Sequence, residues 1–138
     1  MNGTAEPQPE RVAAEGTTGG KMSDDTKPST AEIDASTAFA LTSLIEVAPG
    51  AVVSRTIAKS KGGTITMFAF DTGEGLSEHS APFDAFVQVV DGRLSLKIGG
   101  EPVVAEAGTI VRMPADVPHA LHADAPTRML LVMLREPR

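Results

Sequence analysis

The chain has 138 residues, which is enough for one domain with one hydrophobic core. Its net charge of −6 leaves no basic patch for nucleic acid or an anionic membrane surface, and the lack of cysteine excludes disulfides and thiolate chemistry. No apolar run approaches the roughly 18 residues of a membrane-spanning helix, and the first residues lack the basic-then-apolar order of a secretory signal. We therefore expect a cytoplasmic protein that binds neither nucleic acid nor membrane.

Residues 1–37 differ in composition from the rest of the chain. They contain no Phe, Leu, Tyr or Trp and are rich in Gly, Thr, Pro, Ser and acidic residues. Because such a segment buries too little apolar area to offset the entropy lost on ordering, we expect residues 1–37 to be disordered and residues 38–138 to form the domain. Met22 is an alternative translation start, which would place residues 1–21 outside the protein; a mature N-terminus at Met1 or Asn2 would exclude it.

From residue 38 onward, short apolar and β-branched runs alternate with turn signals. The predicted strands are 44–47, 51–58, 64–70, 83–90, 93–98, 102–105, 109–113 and 127–134. Asp91-Gly92 predicts a two-residue hairpin turn because both positions tolerate positive φ, and Gly99-Gly100 predicts a second tight turn. No run has a helical stripe, and at most one turn of helix is expected near residues 34–41. Many short strands at this spacing predict an all-β sandwich or closed barrel.

Two of the predicted strands, 83–90 and 127–134, are apolar on both faces. A half-buried strand would alternate, so both faces of these strands are expected to be covered. A domain of about 100 residues rarely covers both faces of two strands by itself. We therefore predict a homodimer that packs the outer faces of its sheets together.

The glycines, prolines and histidines between Gly75 and His122 resemble the cupin superfamily, in particular its small single-domain bacterial, RmlC-like members. Cupins carry the motifs G-x5-H-x-H-x3,4-E-x6-G and G-x5-P-x-G-x2-H-x3-N on a jelly-roll barrel, also called a double-stranded β-helix. The matching residues are His79, Gly92, Gly108, Pro114 and His119, with Asp116 where the family has glycine. The resemblance covers about residues 44–134 and implies a cupin-type barrel with a site at its mouth.

The resemblance also implies a mononuclear metal site, of which this chain keeps only part. His79 and His119 match ligand positions of the family, and His122 is a possible third donor, although strand periodicity puts it on the opposite face from His119. The other ligand positions are occupied by Ala81 for histidine, Ala85 for glutamate (with Asp84 one residue early) and Ala123 for the terminal asparagine. A divalent Mn, Fe, Ni or Zn ion needs three or four N/O donors, so water would have to complete its shell.

A small-molecule ligand in the barrel would instead meet mostly apolar walls. The residues expected to line such a pocket are Met67, Ala81, Ala85, Val87, Leu96, Met113 and Leu121. The methionines can be flexible core filler or can line a pocket for an apolar or aromatic ligand.

Three functions remain open at this point. The first is a metal-dependent enzyme in which His79 and His119 hold the ion as a Lewis acid or oxygen-activating centre for a small organic substrate. The second is a metal-free cupin in which a histidine acts as acid, base or polar anchor in an apolar pocket. The third is a non-catalytic ligand-binding or sensing module. Fold alone does not choose among them, but alanine at positions 81 and 85 favours the second and third.

Overall fold

A computed structural model describes residues 32–135 as two antiparallel sheets. The strands of this part of the chain are β1 Val52–Ser60, β2 Gly63–Phe70, β3 Gly75–His79, β4 Ala85–Asp91, β5 Arg93–Ile98, β6 Glu101–Glu106, β7 Ile110–Met113, β8 His119–Ala123 and β9 Thr127–Leu134. A single turn of 3-10 helix, Leu41–Ser43, precedes them. Within these residues no helix is long and apolar enough to cross a membrane. The predicted all-β architecture is confirmed.

The order of the strands is that of a jelly roll. One sheet runs β1-β2-β9-β4-β7 and the other runs β3-β8-β5-β6. The Gly99-Gly100 turn is a hairpin as predicted: Ile98 pairs with Glu101, and the two glycines have φ of +57° and +84°. Positive φ at both central positions is what a type I′ turn requires.

The hairpin predicted at Asp91-Gly92 is wrong, because β4 and β5 lie in different sheets. The chain crosses from one sheet to the other at Gly92, which has φ of +90°. A Cβ atom at this position would collide with the Thr127 hydroxyl and the Pro126 carbonyl. The Asp-Gly pair therefore forms a crowded corner between the two sheets. The turn signal in the sequence does not predict which strand pairs with β5.

The main core lies between the two sheets. Its fully buried members include Phe70, Val87, Leu94 and Met129. Because side chains alternate along a strand, the odd-numbered residues of β9 from Met129 to Met133 join this core, while Leu130 faces the other way. The barrel interior is thus filled at one end and open at the end where β3 and β8 meet.

A second cluster covers the outer face of the five-stranded sheet. Leu44 and Ile45, from the segment before β1, pack there against Ile57, Met67 and Ala69. Residues 44–47 form no strand, contrary to the prediction, and serve as a cover over the sheet. We call residues 33–47 the N-terminal arm.

Two arginines hold the N-terminal arm to the sheet. Arg128 Nε donates to the Ile45 carbonyl at 2.8 Å, and Arg55 Nη1 donates to the Leu44 carbonyl at 3.1 Å. Ile33, in the segment expected to be a disordered tail, packs against the same cluster. The alternative start at Met22 and the rest of that segment up to residue 31 lie outside the described residues.

Candidate functional site

Two neighbouring strands of the smaller sheet bring His79 and His119 together. His79 ends β3 and His119 begins β8, and the antiparallel register pairs them directly after an irregularity between Leu76 and His79. Their ring centroids lie 4.4 Å apart, with the planes at 73° to one another. Both rings line one cavity at the mouth of the barrel. The expectation from the sequence that His79 and His119 face the same cavity matches this placement.

The backbone fixes the hydrogen-bonding state of both rings. His79 Nδ1 lies 2.9 Å from the Ser77 carbonyl oxygen, and His119 Nδ1 lies 3.1 Å from the Val117 carbonyl oxygen. A carbonyl oxygen can only accept, so each Nδ1 carries the hydrogen and donates it. In the neutral ring Nε2 is therefore left with a lone pair, and within residues 32–135 neither Nε2 has a hydrogen-bond partner.

Burial keeps the His119 ring neutral. The residue is only 5% exposed. Desolvation is the main cause that lowers the pKa of His119; the neighbouring His79 lowers the pKa further, and the Val117 hydrogen bond opposes the shift. The Nε2 atom of His119 is consequently an acceptor on a buried residue, and no group of residues 32–135 donates to it. A buried acceptor is normally satisfied by a protein group or by water, and the donor group of a ligand in the cavity can take the same position.

The cavity itself is small and mainly apolar. Its volume is about 40 Å³, and since one water needs about 10–15 Å³, it has room for roughly three waters or a group of a few atoms. The predicted lining residues present in it are Ala81, Ala85, Met113 and Leu121. Sequence reasoning missed Leu76 and Leu131, and it left open whether Met129 and Met133, which also line the cavity, fill the core or line a pocket.

Three residues expected to line the pocket lie elsewhere. Met67 belongs to the second cluster, because it alternates along β2 with Phe68 and Phe70, which face the main core. Val87 and Leu96 are buried in the main core and do not reach the cavity surface. Alternation along β2 could have excluded Met67 from the pocket, because it places Met67 on the opposite face of the strand from Phe68 and Phe70.

His122 also lies outside the cavity. Its side chain is exposed, and its Nδ1 is 3.2 Å from Asp124 Oδ1. Along β8 the residues that alternate with it, Leu121 and Ala123, are buried. The position of His122 thus agrees with the strand-parity argument against it as a third donor. It does not agree with the alternative that His122 is a third donor.

The donor set does not fit the divalent metal centre that the family resemblance implies. Ala81 and Ala85 line the cavity and offer no donor atom, and Ala123 is buried in the main core. Within residues 32–135 no three or more His, Cys, Asp and Glu side chains are grouped so that they could hold a metal. Two imidazoles fall short of the three or four N/O donors of such a site.

Asp84, next to the position of the missing glutamate, holds the loop that leads into β8. It accepts hydrogen bonds from the Ala115 amide at 2.9 Å and from Arg112 Nε at 3.0 Å. These two contacts, the Ala115 amide first, lower the pKa of Asp84. The carboxylate is therefore committed to positioning the loop before His119 and is not available to the cavity.

In the same loop, Asp116 stands where the family has glycine. It has φ of +66°, and its amide donates to the Ala81 carbonyl at 2.7 Å. Positive φ is the conformation that glycine adopts without strain, and Asp is one of the few other residues that tolerate it. The loop geometry of the second motif is thus retained although the glycine is not.

Comparisons with known proteins agree with this fold. A family model described as Cupin domain matches residues 66–133. A conserved protein of unknown function from Streptococcus pyogenes is 31% identical, with a TM-score of 0.74 over 78% of this chain and 94% of that one. No curated protein sequence matches the chain.

Two further solved structures are described as cupins. A cupin 2 conserved barrel domain protein from Leptotrichia buccalis is 33% identical, with a TM-score of 0.68 over 70% of this chain, which spans 47% of that longer protein. A cupin superfamily protein from Desulfitobacterium hafniense is 24% identical and shares the fold, with a TM-score of 0.72 over 76% of this chain and 96% of that one. With the jelly-roll order of its sheets and both histidines at motif positions, the chain belongs to the cupin superfamily.

Proposed function

We propose that the protein is a small-ligand-binding cupin in which the Nε2 lone pairs of His79 and His119 hold the ligand. The observation behind this proposal is that His119 is a buried residue whose Nε2 atom has no hydrogen-bond partner within residues 32–135. Buried polar atoms in folded proteins almost always have a partner, and an exception calls for an explanation. A ligand that donates a hydrogen bond to Nε2 would supply the partner.

The lining of the cavity defines the kind of organic ligand. Apart from the two histidines, every lining residue is apolar. An organic cation would find no carboxylate from residues 32–135 there, and an organic anion would require protonation of His119, which its burial opposes. The ligand we propose is therefore a small neutral molecule with a hydroxyl or N–H group. That group enters the cavity of about 40 Å³, and the rest of the molecule lies in the barrel mouth.

Phenol and fluorobenzene test this proposal, because they have nearly the same shape and only phenol has a donor. With EDTA present, we expect phenol to bind at least tenfold more tightly than fluorobenzene, as measured by ligand-observed NMR titration. The preference should disappear in His119→Phe, which keeps the ring and removes the acceptor. His122→Phe, outside the cavity, is the matched control and should retain it. Failure of both ligands to bind, or equal binding of both, would contradict the proposal.

A divalent-metal-dependent enzyme is a second candidate. One observation favours it: hydrogen bonds from Nδ1 to backbone carbonyls orient both rings and leave both Nε2 atoms free, as in metal-ligating histidines. Against it stands the lack of a third His, Cys, Asp or Glu donor from residues 32–135.

Metal analysis of untagged protein decides this second candidate. Near-stoichiometric Mn, Fe, Ni or Zn that is lost in His79→Ala and His119→Ala would support it. A metal-free protein whose melting temperature does not rise with Mn²⁺, Ni²⁺ or Zn²⁺ would eliminate it, because a ligand of the native state must stabilise that state.

A further inference from the structure

The methionines of this protein are concentrated at the cavity. Of the four methionines in residues 32–135, three (Met113, Met129 and Met133) line it, and only Met67 lies elsewhere. The organic ligand proposed above would use these side chains merely as apolar wall. Methionine, however, also carries a polarisable thioether sulfur that can bind a soft metal ion.

Strand register places two of these methionines around the missing carboxylate. Ala85 in β4 pairs with Met113 in β7 on one side and with Met133 in β9 on the other. Directly opposed residues of antiparallel strands have Cβ atoms about 4.5–5.5 Å apart on the same face. Both methionines thus flank the position at which the family has its glutamate, and alanine at that position leaves the space between them open.

The two sheets supply complementary donors to this space. His79 and His119 belong to the four-stranded sheet, whereas Met113 and Met133 belong to the five-stranded sheet. Together they offer two imidazole nitrogens and two thioether sulfurs around one cavity. Thioether ligands select Cu(I), whereas Mn and other hard divalent ions prefer carboxylate, carbonyl and water oxygens.

Charge and volume favour the same kind of ion. No carboxylate of residues 32–135 lines the cavity to compensate the charge of a desolvated divalent ion, and a monovalent ion is less costly to bury. The volume of about 40 Å³ is sufficient for one ion among these four side chains. The features that disfavour a hard divalent metal are therefore the ones that suit a soft monovalent metal.

We propose that the barrel mouth is a binding site for a soft monovalent metal ion, Cu(I) or its redox-inert analogue Ag(I), held by His79, His119, Met113 and Met133. The site rests on the same two Nε2 atoms as the proposed function and differs from it in requiring the thioethers. The ion is bound with no change of its oxidation state.

Silver nitrate in chloride-free buffer is the probe for this site. We expect one Ag(I) per chain by calorimetric titration and a shift of the Met113 and Met133 εCH3 signals in ¹H–¹³C spectra. The Met67 signal should stay in place. Met113→Leu/Met133→Leu, which keeps apolar volume and removes both sulfurs, should weaken Ag(I) binding at least tenfold. Met67→Leu is the matched control, with wild-type affinity expected. Anaerobic competition with a chromophoric Cu(I) ligand should give the same ranking.

The variants separate this proposal from the organic-ligand proposal. Met113→Leu/Met133→Leu should lose Ag(I) affinity, His119→Phe should lose both Ag(I) affinity and the preference for phenol over fluorobenzene, and Met67→Leu, outside the cavity, should keep both. Absence of a one-to-one Ag(I) complex, or equal Ag(I) affinity in wild type and the double methionine variant, would overturn the metal site and leave the organic-ligand proposal standing. If the double variant does not fold, the εCH3 shifts in the wild-type protein decide the question.

Discussion

His119 combines burial with a free acceptor, and this makes its protonation a property of the folded state. Its ring must leave water and lie beside a second imidazole, and both effects lower its pKa from the ordinary value of 6.5. In the unfolded chain neither effect operates. Below that ordinary value the unfolded chain therefore takes up a proton that the folded chain resists.

This difference predicts a pH dependence of stability. The pKa of His119 is lower in the folded chain than in the unfolded chain. Its contribution to the free energy of unfolding is therefore fully present above pH 6.5 and is lost as pH falls through the folded pKa. We expect the free energy of unfolding from urea titrations to fall between about pH 7.5 and 5.5. His119→Gln, which cannot titrate, should flatten this slope. An unchanged slope in that variant would assign the pH dependence to other groups.

At the level of single residues, strand parity was the most informative signal in the sequence. It placed His119 and Leu121 on one face of β8 and His122 on the other, as the structure does. It could also have excluded Met67 from the pocket, since Phe68 and Phe70 take the inner face of β2. The hydrogen bonds from the histidines to Ser77 and Val117 could not be predicted, because a backbone carbonyl carries no side-chain signature.

At the level of elements, the strands with a continuous apolar or alternating pattern were predictable and the two short strands of the site were not. β5 has the bounds predicted from the alternation of residues 93–98, and β9 has the bounds predicted from the apolar run in residues 127–134. β3, Gly75–His79, is absent from the predicted strands because it is short and begins in a glycine-rich stretch. Its existence depends on pairing with β8, a long-range contact that no local pattern reveals.

The corner at Gly92 gives a test at this scale. Gly92 and Gly73 have nearly the same φ, +90° and +87°, but a Cβ would meet Thr127 at the former and nothing within 4 Å at the latter. We expect Gly73→Ala to cost about 1 kcal/mol, from the backbone conformation alone. Gly92→Ala should cost at least about 3 kcal/mol, because the crossing between sheets must also move apart. Equal urea midpoints for the two variants would show that the corner is not crowded.

For the whole molecule, the N-terminal arm changes how the doubly apolar strands are interpreted. The outward face of β9, represented by Leu130, is in contact with the cluster of Leu44 and Ile45 from the same chain. A second molecule is thus not required to cover all of it. The sequence did not reveal this cover because residues 44–47 have the composition of a strand.

Arg128 is the residue that should hold this cover in place. Its Nη1 contacts Asp91 Oδ2 at 2.6 Å while its Nε reaches the Ile45 carbonyl, so one guanidinium joins the sheet and the arm. Lysine cannot make both contacts at once. Arg128→Lys should lower the free energy of unfolding by about 1–2 kcal/mol and speed amide exchange around residue 45. Arg93→Lys, at an exposed arginine, is the control and should stay within about 0.5 kcal/mol of wild type.

We still propose a homodimer, on a smaller surface than the whole sheet. At the end of β1, β2 and β9 an open groove is lined by Ile65, Val132 and Leu134, and Leu134 is 49% exposed. Light scattering after size-exclusion chromatography should give twice the chain mass at micromolar concentration, and Leu134→Lys should shift the population toward the monomer. A wild-type monomer under these conditions would refute the dimer.

The cross-strand pairing of the two histidines has a consequence for selectivity. Backbone hydrogen bonds between β3 and β8, together with those from each Nδ1, set the separation and orientation of the rings before anything binds. A partner held by both rings, as proposed above, would therefore meet two donors at a fixed separation, so that binding would cost little entropy and would depend on the size of the partner. Changes in the register of these two strands would alter which partner is accepted while the barrel itself persists.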